Sequence, residues 1–157
     1  MKKMEDYRNF LADVRKETGI EALTPDESGL VMVNVDEKYN VNLQFVEATG
    51  KVLCFVEVAQ IPADASKEVY RDLLAGGLFG KETGGGYFTL EPETETVVYN
   101  YFFDLETAAQ DVEDFIHTLE KILQLCDIWA ERIKAGPAHV GKEPSAADTF
   151  AHHKIFA

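Results

Sequence analysis

Gly76-Gly77-Leu78-Phe79-Gly80-Lys81-Glu82-Thr83 looks most like chemistry, because a glycine-rich turn before a lysine can cradle phosphate. That motif needs four residues between its glycines and a Ser or Thr directly after the lysine. Here three residues separate Gly76 from Gly80, two separate Gly77 from Gly80, and Glu82 follows Lys81. The stretch also follows a predicted helix, where the motif follows a strand. Gly84-Gly85-Gly86 lacks both the spacing of a dinucleotide fingerprint and the helix that must come next. Both read as loops.

Nucleophiles and metal ligands fare no better. Ser28, Ser66 and Ser145 fall in a turn, a helix start and the C-terminal stretch, and none sits in a G-x-S-x-G elbow. Cys126 and His117 share a predicted helix but are too far apart along it to meet, and nothing in the sequence brings Cys54 to His117. A metal site needs three or four converging ligands. His152-His153 with a distant His139 falls short, so no metal is expected. Glu91, Glu93 and Glu95 resemble paired carboxylates for acid–base work. Pro92 interrupts them and nothing apolar nearby would raise a pKa, so they read as a solvated hairpin tip. Tyr99, Tyr101 and Phe103 lack the interleaved cations of a base-stacking platform and read as sheet. No catalytic residue and no cofactor is expected, and the chain reads as a non-enzyme.

The elements explain where those residues fall. Leu30–Val35, Val41–Val46 and Val52–Ile61 read as three strands joined by the turns Asp36-Glu37-Lys38 and Ala48-Thr49-Gly50-Lys51. Much of both sheet faces is apolar, so each must be covered, part of it by other protein. Before them, Met4, Tyr7, Phe10, Leu11 and Val14 recur at helical spacing and stop near Gly19. After Pro62, Ser66 is a helix N-cap, with Val69, Tyr70, Leu73 and Leu74 as a stripe. Strands at Tyr87–Leu90 and Thr96–Phe103 follow, turned by Pro92–Glu95. Thr107 with Gln110 reads as a capping box opening one closing helix. Its apolar residues repeat from Ala108 to Ile133, for a length of about 40 Å, up to Gly136-Pro137. The order α-β-β-β-α-β-β-α is an α+β class with a mostly antiparallel five-stranded sheet. Residues 1–135 read as one domain and 136–157 as a mobile tail.

Composition narrows the partners. Over 157 residues, 15 Lys and Arg against 28 Asp and Glu give a net charge of −13. Nucleic acid and anionic membranes both select clustered cations, so neither is expected as a partner. Basic or exposed hydrophobic partners suit the balance better. No apolar run approaches the roughly 18 residues of a membrane span, and Met1–Asp6 lacks the apolar core of a signal peptide. Cys54 and Cys126 read as small core residues, in keeping with a reducing compartment.

Residues 4–134 resemble the class I chaperones of bacterial type III secretion, the Tir-chaperone (CesT-like) family. The likeness is carried by the short first helix before Leu23-Thr24-Pro25-Asp26, and by three strands leading through Ile61-Pro62 into a helix with Leu73-Leu74. It continues in Gly77-Leu78-Phe79-Gly80, Tyr87-Phe88-Thr89-Leu90, Val97-Val98-Tyr99 and a long closing helix with Trp129 near its end. Where the family commonly carries an asparagine after the leucine pair, this chain has Gly76-Gly77. The resemblance implies a cytoplasmic homodimer without ATPase activity. It would hold the N-terminal region of one secreted effector in extended form and present it to the export apparatus. It further implies an effector-binding groove at Phe10, Leu11, Val14, Leu30, Met32, Leu43 and Phe45, and a dimer interface at Val69, Tyr70, Leu73, Leu78 and Phe79. Physically, an extended client can add hydrogen bonds at a sheet edge while alternate side chains enter apolar pockets. The alternative from another class is a small α+β ligand-binding or hot-dog-like thioesterase domain. That reading needs an enclosed pocket with convergent polar groups, which Asn34, Asn42, Gln44 and Asn100 do not visibly supply. A third is a structural homodimer that regulates a partner.

Overall fold

Met4–Thr18 forms the first helix, α1, because polar groups at both ends take up its orphan backbone bonds. Asp6 accepts from the Lys3 N–H at 2.8 Å. Gly19, left-handed at φ 72°, closes the other end by donating to the Arg15 carbonyl at 2.7 Å. The computed structural model describes residues 3–136. Met1, Lys2 and residues 137–157, which hold nearly all of the expected tail, lie outside them.

The strands fall close to where alternation placed them: β1 Leu30–Val35, β2 Tyr39–Val46, β3 Lys51–Gln60, β4 Tyr87–Glu91 and β5 Thr96–Asp104. They form one five-stranded sheet in the order β1-β2-β3-β5-β4. Antiparallel registers pair Val31 with Leu43 and Leu43 with Cys54. β5 also runs antiparallel to β3: the Ile61 N–H donates to the Glu95 carbonyl beside one end, and Leu105 to Gly50 beside the other. Ser66 caps α2, Lys67–Gly76, by accepting from the Glu68 N–H.

The closing helix differs from expectation. It is two helices, α3 Leu105–Gln110 and α4 Val112–Ala135, broken at Asp111 with φ −142° and ψ 83°. Asp104 is the cap of α3, accepting from both the N–H and the hydroxyl of Thr107, so the Thr107–Gln110 capping box does not form. Asp111 then caps α4 by accepting from the Asp114 N–H at 2.9 Å. A short carboxylate that satisfies a backbone donor outcompetes helical continuity there. α4 is about 36 Å long at 1.5 Å per residue.

The chain divides into two compact units. The first comprises Met1–Glu57 and Asn100–Gln124. Its core is aromatic: Tyr7 stacks on Phe45 at 5.2 Å, and Phe10 and Phe103 meet Phe115 edge-on at 4.9 and 4.6 Å. The second unit comprises Val58–Tyr99 and, among the described residues, 125–136. Trp129 centres its core, with Phe88 edge-on at 4.8 Å and its indole N–H donating to the Glu82 carbonyl at 2.9 Å. Arg132 lies over the Trp129 ring at 3.9 Å and bonds both Asp72 and Glu82. Cys54 and Cys126 are buried and form no disulfide with one another, in keeping with their apolar settings.

Candidate functional site

Alternation along β1 sends Val31 and Val33 inward and leaves Met32 outward and 66% exposed. On the inward side these valines, with Val41, Leu43 and Val56 of the neighbouring strands, floor a pocket of about 310 Å³ in the first unit. Val14 and Leu23 close one side, and Ile116, Leu119 and Leu123 of α4 close another. The wall is apolar except at its rim, where Thr18, Asp36 and Glu120 stand. Ile20 at the mouth is 37% exposed, and Ile116, Leu119 and Leu123 are only half-buried. The pocket therefore has an open apolar lip that water must wet when nothing fills it. Among the described residues β1 is a terminal strand of the sheet, and one of its edges has no strand partner there.

The expected groove residues divide by face. Val14 and Leu43 line the pocket. Phe10, Leu11 and Phe45 are buried in the core of the same unit. Leu30 and Met32 stand on the other face of β1, opposite Gln44 and Asn42. That outer face is mixed. Half-buried Leu53 and Phe55 alternate with amides whose bonds are already used: Asn34 donates to Asn40 at 3.0 Å, Asn42 to the Phe55 carbonyl at 3.2 Å, and Gln44 to the Ser28 carbonyl at 2.9 Å. Those amides serve the backbone and one another, and no convergent polar set of the kind a thioesterase pocket needs is built from them.

Sequence reasoning missed Ile116 and Leu123. Each flanks the main apolar stripe of α4, widening it beyond what one sheet contact requires, and that width was the available signal.

The second unit presents a different surface. Val69 is buried and Leu73 half-buried, whereas Tyr70, Leu78 and Phe79 are exposed. Leu74, at 81% exposed, together with Tyr87 and Leu90, extends the same apolar character beyond the residues expected. Tyr70, Leu73, Leu74 and the β4 residues Tyr87 to Leu90 line a second concavity. Phe79, in a short 3-10 turn at Leu78–Gly80, holds a left-handed φ of 58°, a conformation that costs a side-chain-bearing residue about 1–2 kcal/mol.

The shifted titratable groups among the described residues are accounted for by burial and local hydrogen bonds. Burial pushes the Cys126 thiol up to about 12, with Asp127 adding to the effect, so at neutral pH it is a protonated core thiol. Burial likewise raises the Tyr7 phenol far above its usual value. Glu91 is held below the usual carboxylate range because the Thr94 hydroxyl and then its N–H donate to it, which makes it a cap of the β4–β5 turn. For Arg132, burial opposes the charge, but the hydrogen bonds it donates to Asp72 and Glu82 outweigh that and keep the guanidinium protonated. Among the described residues no three His, Cys, Asp or Glu side chains converge as metal ligands. His139, His152 and His153 lie outside those residues. Among the described residues, too, no helix is long and apolar enough to cross a membrane.

Comparison with known proteins gives this arrangement a family. The Tir chaperone protein (CesT) family model matches residues 9–130. The chain belongs to the CesT family. A protein of Chlamydia pneumoniae is 24% identical over 112 residues, spanning 71% of this chain and 82% of its own. Among solved structures, the ExsC–ExsE complex superposes with a TM-score of 0.73 at 20% identity, covering 85% of this chain and 97% of the other. The HopA1–SchA chaperone–effector complex gives 0.69 at 17% identity, covering 84% and 100%. The Yersinia pestis type III secretion chaperone SycH, bound to a stable fragment of YscM2, gives 0.56 at 18% identity, covering 76% and 98%. At these identities the structures establish a shared CesT-type fold. The family is one of chaperones, and its α+β sheet with flanking helices is the fold found in this chain.

Proposed function

We propose that this CesT-family chain is a cytoplasmic chaperone of type III secretion that binds the N-terminal region of a secreted effector in extended form. The observation that carries the reading is the open apolar pocket of the first unit, with β1 at the edge of the sheet that the described residues form. An extended segment can hydrogen-bond along such an edge while its alternate side chains enter pockets. Ordering an unfolded client costs several kcal/mol, and apolar burial offsets that cost. The chaperone stabilises the client by occupying the residues through which it would otherwise fold or aggregate. No turnover is needed, and the protonated, buried thiol and turn-capping carboxylate fit a binding protein.

The second unit's exposed leucines and aromatics support self-association. Tyr70, Leu74, Tyr87 and Leu90 line one apolar concavity, and Leu78 and Phe79 are exposed in the same unit, a character that homodimers bury. Two copies would then present two client-binding units to one effector and, through it, to the export apparatus.

Native mass spectrometry of the tagged chain, drawn from its own cells under conditions that permit secretion, tests the reading. The expected species is a dimer carrying one copy of a single larger protein, protected from protease over its N-terminal region. A chain recovered with only a small molecule, while potential clients are expressed, would overturn it in favour of a ligand-binding protein.

A further inference from the structure

We propose that the pocket of the first unit selects a client segment in which an aliphatic side chain stands beside a lysine or arginine. The aliphatic group fills the pocket, and the cation lies beside Asp36 or Glu120 at its rim. The inference rests on the client-binding reading and names the chemistry that this site would choose.

Pocket size and lining fix the first half. About 310 Å³ is at the bottom of the roughly 300–1,000 Å³ range of small-molecule sites. It suits a side chain or two and is small for an extended cofactor. Its depth is valine, leucine and isoleucine, with no hydrogen-bonding side chain below the rim. A polar group placed there would lose its water and gain no partner, so the buried part of the occupant is apolar.

Charge fixes the second half. Among the described residues the charged ones that line the pocket are Asp36 and Glu120, both acidic and exposed. No lysine, arginine or histidine among the described residues lines it. The backbone that carries each acid is fixed by a regular element or a tight turn. Asp36 lies in a tight turn after β1, at φ 55°, and the Lys38 N–H closes that turn on the Val35 carbonyl at 3.0 Å. Glu120 stands on α4 four residues after Ile116 and three before Leu123, so it shares their helix face. Each acid is thus set beside apolar residues that line the pocket. An aliphatic client residue seated there brings its neighbours within reach of one acid or the other. A basic neighbour is favoured and an acidic one repelled, and the net charge of −13 adds attraction at longer range.

The aliphatic contact supplies affinity, while the cation supplies choice. Exposed ion pairs are weak, so losing both carboxylates should lower affinity for a matched basic segment only about two- to tenfold. Discrimination against an acidic segment should change more, because repulsion is lost as well.

Selection of short random peptides displayed on phage tests this, using the full chain and the double variant Asp36→Asn, Glu120→Gln. Asparagine tolerates the left-handed turn and glutamine keeps the helix, so both changes spare the backbone. The native chain should enrich aliphatic residues adjacent to Lys or Arg, and the variant should keep the aliphatic preference but lose the basic one. As a check that does not depend on the variant folding, selected peptides are resynthesised with citrulline in place of arginine. They should bind the native chain more weakly, and high salt should remove the difference. Aliphatic enrichment with no basic excess, or a basic excess unchanged in the variant, would overturn the proposal and leave the chaperone reading intact. Failure of the native chain to enrich any aliphatic peptide would overturn both.

Discussion

Glu37 sits at φ 55° in the β1–β2 turn, directly after Asp36 at the same angle. Two consecutive left-handed residues make the mirror-image turn that matches strand twist, and such turns favour Asn or Asp followed by Gly. Asp36 suits its place, but Glu37 does not. A residue other than glycine costs about 1–2 kcal/mol there, while glycine gives back roughly 0.5–1 kcal/mol in chain entropy. Glu37→Gly should therefore stabilise the chain by about 0.5–1 kcal/mol, read as a higher urea midpoint at unchanged slope. An unchanged or lowered midpoint would show that the turn is not strained. This site was only half legible from sequence. The acidic run Asp36-Glu37-Lys38 announced a turn, whereas its hand depends on strand register, which no single residue encodes. Ser66 and Gly19 were easier, because their cap chemistry is local.

At the scale of elements, α2 ends against the indole of Trp129. A β-carbon on Gly76 would lie 2.3 Å from two atoms of that ring. The ring cannot yield, because Glu82 holds its N–H, Phe88 meets one side and Arg132 covers a face. Gly76→Ala should cost roughly 1–3 kcal/mol in overpacking, less at most about 1 kcal/mol returned by replacing glycine at a helix end. The net loss of about 1–2 kcal/mol is measurable by thermal or urea unfolding. Equal stability of the two chains would mean that the helix end moves freely. Strand positions were legible to within a residue or two because alternation is a short-range signal. The break at Asp111 was not, since the helical period runs on through it and only the cap bonds of Asp104 and Asp111 reveal two helices. The pocket was partly legible for a similar reason. Val14 and Leu43 were named from the family pattern, but which face of β1 turns inward required the register to be known.

For the whole molecule, the proposed dimer makes a direct prediction about the second unit. Leu74 is 81% exposed on α2 and makes little contribution to its own chain's core. Leu74→Asp should leave folding intact, by circular dichroism and urea midpoint, yet shift the chain from dimer to monomer in light scattering. Placing a charge in an apolar interface costs several kcal/mol, enough to lower dimer affinity at least about a hundredfold. A variant that stays dimeric would move the interface away from α2. Self-association and client binding are assigned to different units, so a monomeric variant that still selects aliphatic peptides would separate the two functions.

Trp129 is the chain's single tryptophan, and every contact described for it lies in the second unit. Its fluorescence is therefore a built-in beacon for that unit alone, blue-shifted while the indole is buried and red-shifting when water reaches it. The first unit, built on tyrosine and phenylalanine, is dark at tryptophan wavelengths. Emission and far-ultraviolet circular dichroism followed in one heating experiment become separate clocks, the first timing the loss of a single unit and the second timing the chain as a whole.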